Sequence, residues 1–349
     1  MKEDDRELRV GELVEVRSAA EILATLGEDA ALDAMPFMPE MLRLAGKQFE
    51  VSHRVEKICD TAGRTYRSRQ MHSTVLLEDL RCDGSAHGGC QAGCRLYWKE
   101  AWLRRVSDQT PEFDSDDRQA HRLESLALTA TTVTDSDDGE GVRYRCQATE
   151  APAASEELGR FDPRQYLREV SSGNVRPLRV VWILTRAMWL KARQMLRHMG
   201  KRATARTEGA SQSAPTAGFE PGDLVQVRSW EEIATTLDEQ DKNRGLWFDD
   251  LDMVRYCGGT YRVRDRVQRI IDEGTGKMIA LRSDCLILED VCCSGERSPW
   301  RWCCPRGIFS FWREAWLRPV QHAGRHPDPI SEVLLATDPA RPSAPPAGR

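Results

Sequence analysis

The run Arg81-Cys-Asp-Gly-Ser-Ala-His-Gly-Gly-Cys-Gln-Ala-Gly-Cys94 gathers three thiols and an imidazole in one glycine-rich stretch. Glycines beside thiols let the backbone turn tightly enough for several ligand atoms to converge on one ion, as zinc and iron–sulfur sites both require. Cys59, at the end of an expected strand just before a turn, is the natural fourth thiol, and His72 and His87 are available as substitutes. The expected site is therefore Cys59, Cys82, Cys90 and Cys94 with His72 and His87 in reserve, holding zinc or, alternatively, an iron–sulfur cluster. No interval between these thiols is the two-residue spacing of common zinc knuckles, so the ligands must be brought together by the fold.

The elements that position this run are written twice. Gly11-Glu-Leu-Val-Glu-Val-Arg-Ser18 returns as Gly222-Asp-Leu-Val-Gln-Val-Arg-Ser229, and Tyr97-Trp-Lys-Glu-Ala-Trp-Leu103 returns as Phe311-Trp-Arg-Glu-Ala-Trp-Leu317. Two copies of one module are expected, at 8–106 and 219–321, and each serves as a control for the other. Alignment pairs Cys82 with Cys293 and Cys90 with Cys304, whereas Cys59 faces Ile271 and Cys94 faces Ile308. The second copy thus does not need four such thiols to fold. Its own thiols, Cys293 with Cys303 and Cys304, form a second possible metal or thiol site, and Cys285, between apolar neighbours, is expected in the core. The duplicated pairs Trp98/Trp102 and Trp312/Trp316 read as core, and the duplicated Arg54 and Arg266 as partners of the duplicated Glu100 and Glu314.

Each copy opens on an alternating strand, then a Ser-x-x-Glu capping box at Ser18/Glu21 and Ser229/Glu232 that predicts a helix running to about Gly27 and Asp238. Strands are predicted around 48–51, 54–58 and 73–77, and around 260–263, 266–270 and 284–288. The fold class expected is mainly β with short helices: two SH3-like small β-barrel repeats joined by a partly disordered region with an amphipathic helix. The opening G-[DE]-L-V-x-V-R-S resembles SH3-like β-barrels of bacterial proteins. With C-D-G-S-A-H-G-G-C and Y-W-K-E-A-W-L, the repeat resembles a family of uncharacterised bacterial proteins built from this module in tandem; that resemblance implies a fold and brings no activity.

Between the copies, 107–140 is acidic and reads as a mobile linker, 141–202 as a small α/β segment, and 203–218 as a second linker; 322–349 reads as a disordered tail. Residues 176–202 carry cations and no acid. On a helical wheel Arg186, Arg193 and Arg197 form a stripe, with Val180, Val181, Leu184, Met188, Met195 and Met199 on the other side and Trp182 and Trp189 at the edge. That pattern suits an anionic membrane surface, the alternative being a helix docked on one of the barrels and nucleic acid a weaker possibility; the partner expected for the chain is a protein or an anionic membrane surface.

The formal net charge of −5 argues against nucleic acid as a partner, and the charged N-terminus lacks the apolar stretch of a signal peptide. A cytoplasmic protein, with peripheral attachment to a membrane as an option, is expected, since eleven cysteines read as ligands or buried thiols rather than a disulfide framework. No nucleophile elbow, phosphate loop or HExxH occurs. The function expected is a non-catalytic metal-binding adaptor or scaffold; the alternative is a redox or metal-dependent enzyme using repeat one.

Overall fold

The computed structural model describes residues 7–62, 67–106, 116–134, 142–159, 162–201, 218–297 and 301–320. Its frame is two five-stranded antiparallel sheets of one design. In the first, β1 (Leu13–Val16), β2 (Gln48–Arg54), β3 (Thr74–Leu77), β4 (Trp98–Lys99) and β5 (Leu103–Arg105) lie in the order β4-β3-β2-β1-β5. In the second, β6 (Leu224–Val227), β7 (Thr260–Arg266), β8 (Leu286–Cys292), β9 (Phe309–Trp312) and β10 (Leu317–Pro319) lie in the order β9-β8-β7-β6-β10. The first strand of each sheet therefore pairs with both the second and the last. Even the irregularity is copied: the pairing of β2 with β3 slips between Val51 and His53, and that of β7 with β8 between Val263 and Asp265. A bulge at the same place in both copies bends the long strand and re-aims the chain beyond it.

The local signals have local causes. Ser18 and Ser229 cap α1 (Ala19–Leu23) and a matching helix Trp230–Ala234, each with its glutamate reaching back to the cap amide at 2.9 Å. Both helices stop well short of the expected Gly27 and Asp238; just beyond them the Thr25 and Thr236 hydroxyls donate to the Ile22 and Ile233 carbonyls at 2.7 and 2.8 Å and accept from the Trp102 and Trp316 indoles at 3.1 and 3.0 Å. All four repeat tryptophans, Trp98, Trp102, Trp312 and Trp316, are fully buried in the cores. Arg54 binds Glu100 at 2.5 Å and Arg266 binds Glu314, each also holding a carbonyl of the segment that precedes the first strand.

The acidic stretch expected to be a linker contains a helix, α2 (Asp117–Ala130), capped by Asp116 and burying Leu123 and Ala127 against α1 and the turn Pro39–Leu44. Its apolar pair at i and i+4 faces the core while the acids face water, so composition alone misjudges it. Further on, Glu156–Glu157 pair with Ser68–Gln70 of repeat one, and the Tyr144 amide donates to the Gly276 carbonyl of repeat two at 2.8 Å. The middle segment is thus bonded to both copies. Within the segment expected to be small α/β, Val142–Tyr144 is a strand and Arg164–Ser171 a helix. The expected linker at 203–217 and the tail from 322 lie outside the described residues.

The two repeats meet across a seam with approximate two-fold character. The Cys59 amide donates to Cys304 Sγ at 3.2 Å, and the aligned Ile271 amide donates to Cys90 Sγ at 3.4 Å. Gln91 bridges Asp265 and the Gln268 amide, while Arg81 and Arg95 reach the carbonyls of Gly307 and Pro305. On the seam lies Arg306, only 6% exposed, which donates to the Cys59 carbonyl, Thr61 Oγ1 at 2.6 Å and Glu273 at 2.8 Å. Removing one member of a buried ion pair costs more than the pair contributes, because the other charge is left uncompensated. Arg306→Met is expected to lower the unfolding free energy by about 3 kcal/mol, read from urea denaturation.

Candidate metal centre

Cys82 lies beyond β3 and opens the glycine-rich loop; its amide donates to the Cys94 carbonyl at 2.8 Å, closing the loop at its base. Inside, the amides of His87 and Gly89 both donate to the Gly84 carbonyl. Gly84 has φ of +72°, and a Cβ there would stand 1.9 Å from the Cys90 carbonyl oxygen. Only glycine allows that approach. The second copy repeats the device, with the Cys293 amide donating to the Ile308 carbonyl and Gly295 pressed against Cys304. The aligned pairs Cys82/Cys293, Cys90/Cys304 and Cys94/Ile308 thus occupy corresponding places.

The closed loop brings His87 back over Cys82, with Nε2 3.4 Å from Sγ. A third group arrives from an element the sequence did not mark: Glu40, on the 3-10 turn Pro39–Leu44, so that one ligand atom from each of Glu40, Cys82 and His87 lies within 4.8 Å of the other two. Glu40 and His87 are buried, at 6% and 1% exposure. Both Glu40 carboxylate oxygens and His87 Nδ1 lack any hydrogen-bond partner. A buried carboxylate without a donor is expensive unless something cationic reaches it. Burial, and then the charge of Glu40, push the Cys82 thiol up; burial pushes His87 down, toward the neutral form that ligates metals. A zinc ion bonded tetrahedrally to sulfur at about 2.3 Å and nitrogen at about 2.0 Å holds the two about 3.5 Å apart, close to the separation of Cys82 and His87. Beside Cys82 and His87 lies a void of about 30 Å³, walled by Met38, Leu96 and Ile271 and also bordered by Cys90, Cys94 and Cys146.

The other expected ligands are distributed differently. Cys90 and Cys94 border the same void, and burial pushes Cys94 up to about 12. His72 stands outside, mostly exposed and 3.5 Å from Glu156. Cys59 is not beside the 82–94 loop: the bulged β2 and the strand Ile58–Cys59 carry it across the seam to Cys304. A four-thiolate site in repeat one is therefore not assembled. Glu40 was missed because a lone acid in the apolar run Met35–Leu44 reads as a surface residue; the available signal was that Asp252 repeats it at the corresponding place.

In the second copy, Asp252 lies beside Cys293, and Arg301, at the place aligned with His87, bonds Cys293 and stands 3.7 Å from Asp249. Asp252 is satisfied where Glu40 is not: the Ser294 hydroxyl and amide donate to it at 2.6 and 3.1 Å. Where repeat one offers Glu, Cys and His, repeat two offers Asp, Cys and a guanidinium. Of the expected second thiol site, Cys293 faces Asp252 and Arg301, while Cys303 and Cys304 border a larger cavity of about 430 Å³ with Glu169, Arg176 and Arg179. Among the described residues, Glu40, Cys82 and His87 are the single group with metal-binding proximity. No protein-family model matches the chain, and comparison with curated proteins and with solved structures found no match.

Glu169, on the wall of the larger cavity, is 1% exposed, and one of its oxygens has no partner. Burial raises its carboxyl to about 8, against the opposing hydrogen bond from Asn174 and the charge of Lys57. Between the ordinary carboxyl range and about 8 the folded state keeps a proton that the unfolded chain has released, so stability falls as pH rises through that window. Glu169→Gln is expected to remove that slope, gaining over the parent at about pH 9 and matching it at about pH 5, as read by urea denaturation at the two values.

Proposed function

We propose that the chain is a non-catalytic metal-binding adaptor whose repeat one holds a single zinc-type ion on Glu40, Cys82 and His87. The observation that carries this reading is a buried Glu-Cys-His convergence in which the carboxylate has no other partner. The mixed oxygen, sulfur and nitrogen donors support zinc over an iron–sulfur cluster, which takes thiolates. Arg301 supports the reading from the other side, because the second copy supplies a fixed cation where the first has His87. An SH3-like reading of the frame is supported by the strand order, in which the first strand joins the second and the last, and by the 3-10 turns Glu100–Trp102 and Glu314–Trp316 before the last strands. Such barrels serve as platforms for partners, which suits an adaptor.

Elemental analysis of the purified chain tests the proposal. One zinc per chain is expected, falling to none in Cys82→Ser/His87→Ala and unchanged in Cys59→Ser; a parent protein without metal overturns the reading. Arg301→His is expected to raise the content toward two, since it returns an imidazole to the place facing Cys293 and Asp252.

A second observation favours attachment to an anionic membrane surface through α4 (Pro177–Lys201), counting Arg164–Ser171 as α3. Val180, Ile183 and Ala187 turn inward, whereas Leu178, Val181, Trp182, Met188, Trp189 and Met195 stand exposed. The apolar residues grouped together on the wheel are thus split between a docked face and an outer one. Arg179 and Arg186 stack on Trp182, and Arg193 on Trp189; the Arg197 side chain lies outside the described residues. An exposed apolar stripe with tryptophans and flanking cations fits the headgroup region. No helix among the described residues is long and apolar enough to cross a membrane. Trp182→Ser/Trp189→Ser is expected to abolish co-sedimentation with phosphatidylserine vesicles, and Arg186→Gln/Arg193→Gln to weaken it roughly thirtyfold, at about 1 kcal/mol per cation; a parent chain that ignores such vesicles overturns the reading.

A further inference from the structure

We propose that Cys59 and Cys304 form a thiol–disulfide exchange site across the seam, taking a low-molecular-weight disulfide as its oxidant. The geometry is that of a pre-assembled dithiol. The Cys59 amide donates to Cys304 Sγ at 3.2 Å, and Arg306 holds the Cys59 carbonyl. The residues come from different repeats, so nothing but the seam brings them together. The equivalent place in the other copy has no such pair: Cys90 meets the Ile271 amide, where the second repeat has no sulfur to offer.

The electrostatics of the seam suit this chemistry. The neighbouring Cys304 thiol lowers Cys59 against the cost of burial, with Arg306 and Arg301 adding positive charge. Burial and the neighbouring Cys59 hold Cys304 high. The pair thus shares one proton, as a thiolate and its donor. Cys304 borders the cavity of about 430 Å³, together with Arg176 and Arg179, whereas Cys59 is not part of its lining. Of the two members of the pair, Cys304 is therefore the one that entry from the cavity meets, beside Cys303 on the same wall.

The exchange balances without another reagent. The proton passes from Cys304 to Cys59, the Cys304 thiolate attacks one sulfur of the incoming disulfide, and the first small thiolate leaves. Cys59 then gives up its proton to that thiolate and attacks Cys304 Sγ, expelling the second. The two protein sulfurs lose two electrons in forming one S–S bond, and the small disulfide gains them in becoming one small thiol, which carries the shared proton, and one small thiolate. The product ties repeat one to repeat two through the seam. This site uses none of Glu40, Cys82 and His87, so it stands apart from the metal reading.

The full chain is treated with oxidised glutathione, its remaining thiols are alkylated, and the digest is read by mass spectrometry. A peptide linking Cys59 to Cys304 is expected as the dominant and earliest disulfide, with a thermal midpoint raised by several degrees and returned by dithiothreitol. In Cys59→Ser the reaction is expected to stop at a glutathione adduct on Cys304, and in Cys304→Ser, Cys59 is expected to stay reduced. A wild-type digest without the linked peptide overturns the proposal even if neither variant folds. So does Cys304→Ser in which Cys59 is glutathionylated at the wild-type rate.

Discussion

A carboxylate placed in an apolar interior needs a donor or a cation, and both copies of this module bury one beside a cysteine. Asp252 is answered by the Ser294 hydroxyl and amide, with Arg301 close to the same cysteine. Glu40 has Asp83 where Asp252 has Ser294, and Asp83 is itself taken up by Arg43 at 2.7 Å. The groups that converge on Glu40 are Cys82 and His87, neither of which brings a fixed charge. On the proposed reading the ion supplies what Arg301 supplies in the second copy. The cost of leaving a buried charge uncompensated, several kcal/mol, is large against the stability of a small domain.

The loop that meets this demand is held by backbone, not by metal. The closures Cys82 to Cys94 and Cys293 to Ile308, with Gly84 and Gly295 pressed on the facing carbonyls, are the same in both copies although their side-chain chemistry differs. A loop that keeps its shape without a particular ligand set is free to change that set. This is why comparing the copies separates fold from chemistry: the tryptophans, capping boxes and Arg54/Glu100 pairs recur, and His87 does not.

The features legible in the sequence were local ones. Ser18 and Glu21 are three residues apart, and their capping box formed; Cys82 and His87 are five apart, and one loop joins them. The position of Cys59 was illegible because its partner, Cys304, lies in the other copy, and nothing in either segment announces the seam. Glu40 was illegible because an acid in an apolar run carries no sign of facing inward until the turn it sits on is placed over the loop. The acid-rich stretch hid α2, since Leu123 and Ala127 are few beside the aspartates that precede them, yet two buried residues on one face suffice when α1 and the Pro39–Leu44 turn receive them. On α4 the wheel placed cations and tryptophans correctly, but it had no means of telling which apolar residues would dock; Val180, Ile183 and Ala187 did because α4 comes directly after α3, which is fixed to Arg54 through Asn174.

Each loop carries one thiol turned to its own acid, Cys82 or Cys293, and one turned across the seam to the strand end of the other copy, Cys90 or Cys304. The frame offers each thiol the same kind of place and leaves its chemistry to a single neighbour. For the first thiol that neighbour is His87 or Arg301, an open ligand or a fixed cation. For the second it is Ile271 or Cys59, an inert amide or a second sulfur. Two exchanges of side chain therefore suffice to give repeat one a group suited to a metal and the loop of repeat two a group suited to sulfur exchange. Because the metal-type group looks into its own repeat and the dithiol looks across the seam, the first depends on how one module folds and the second on how two modules meet.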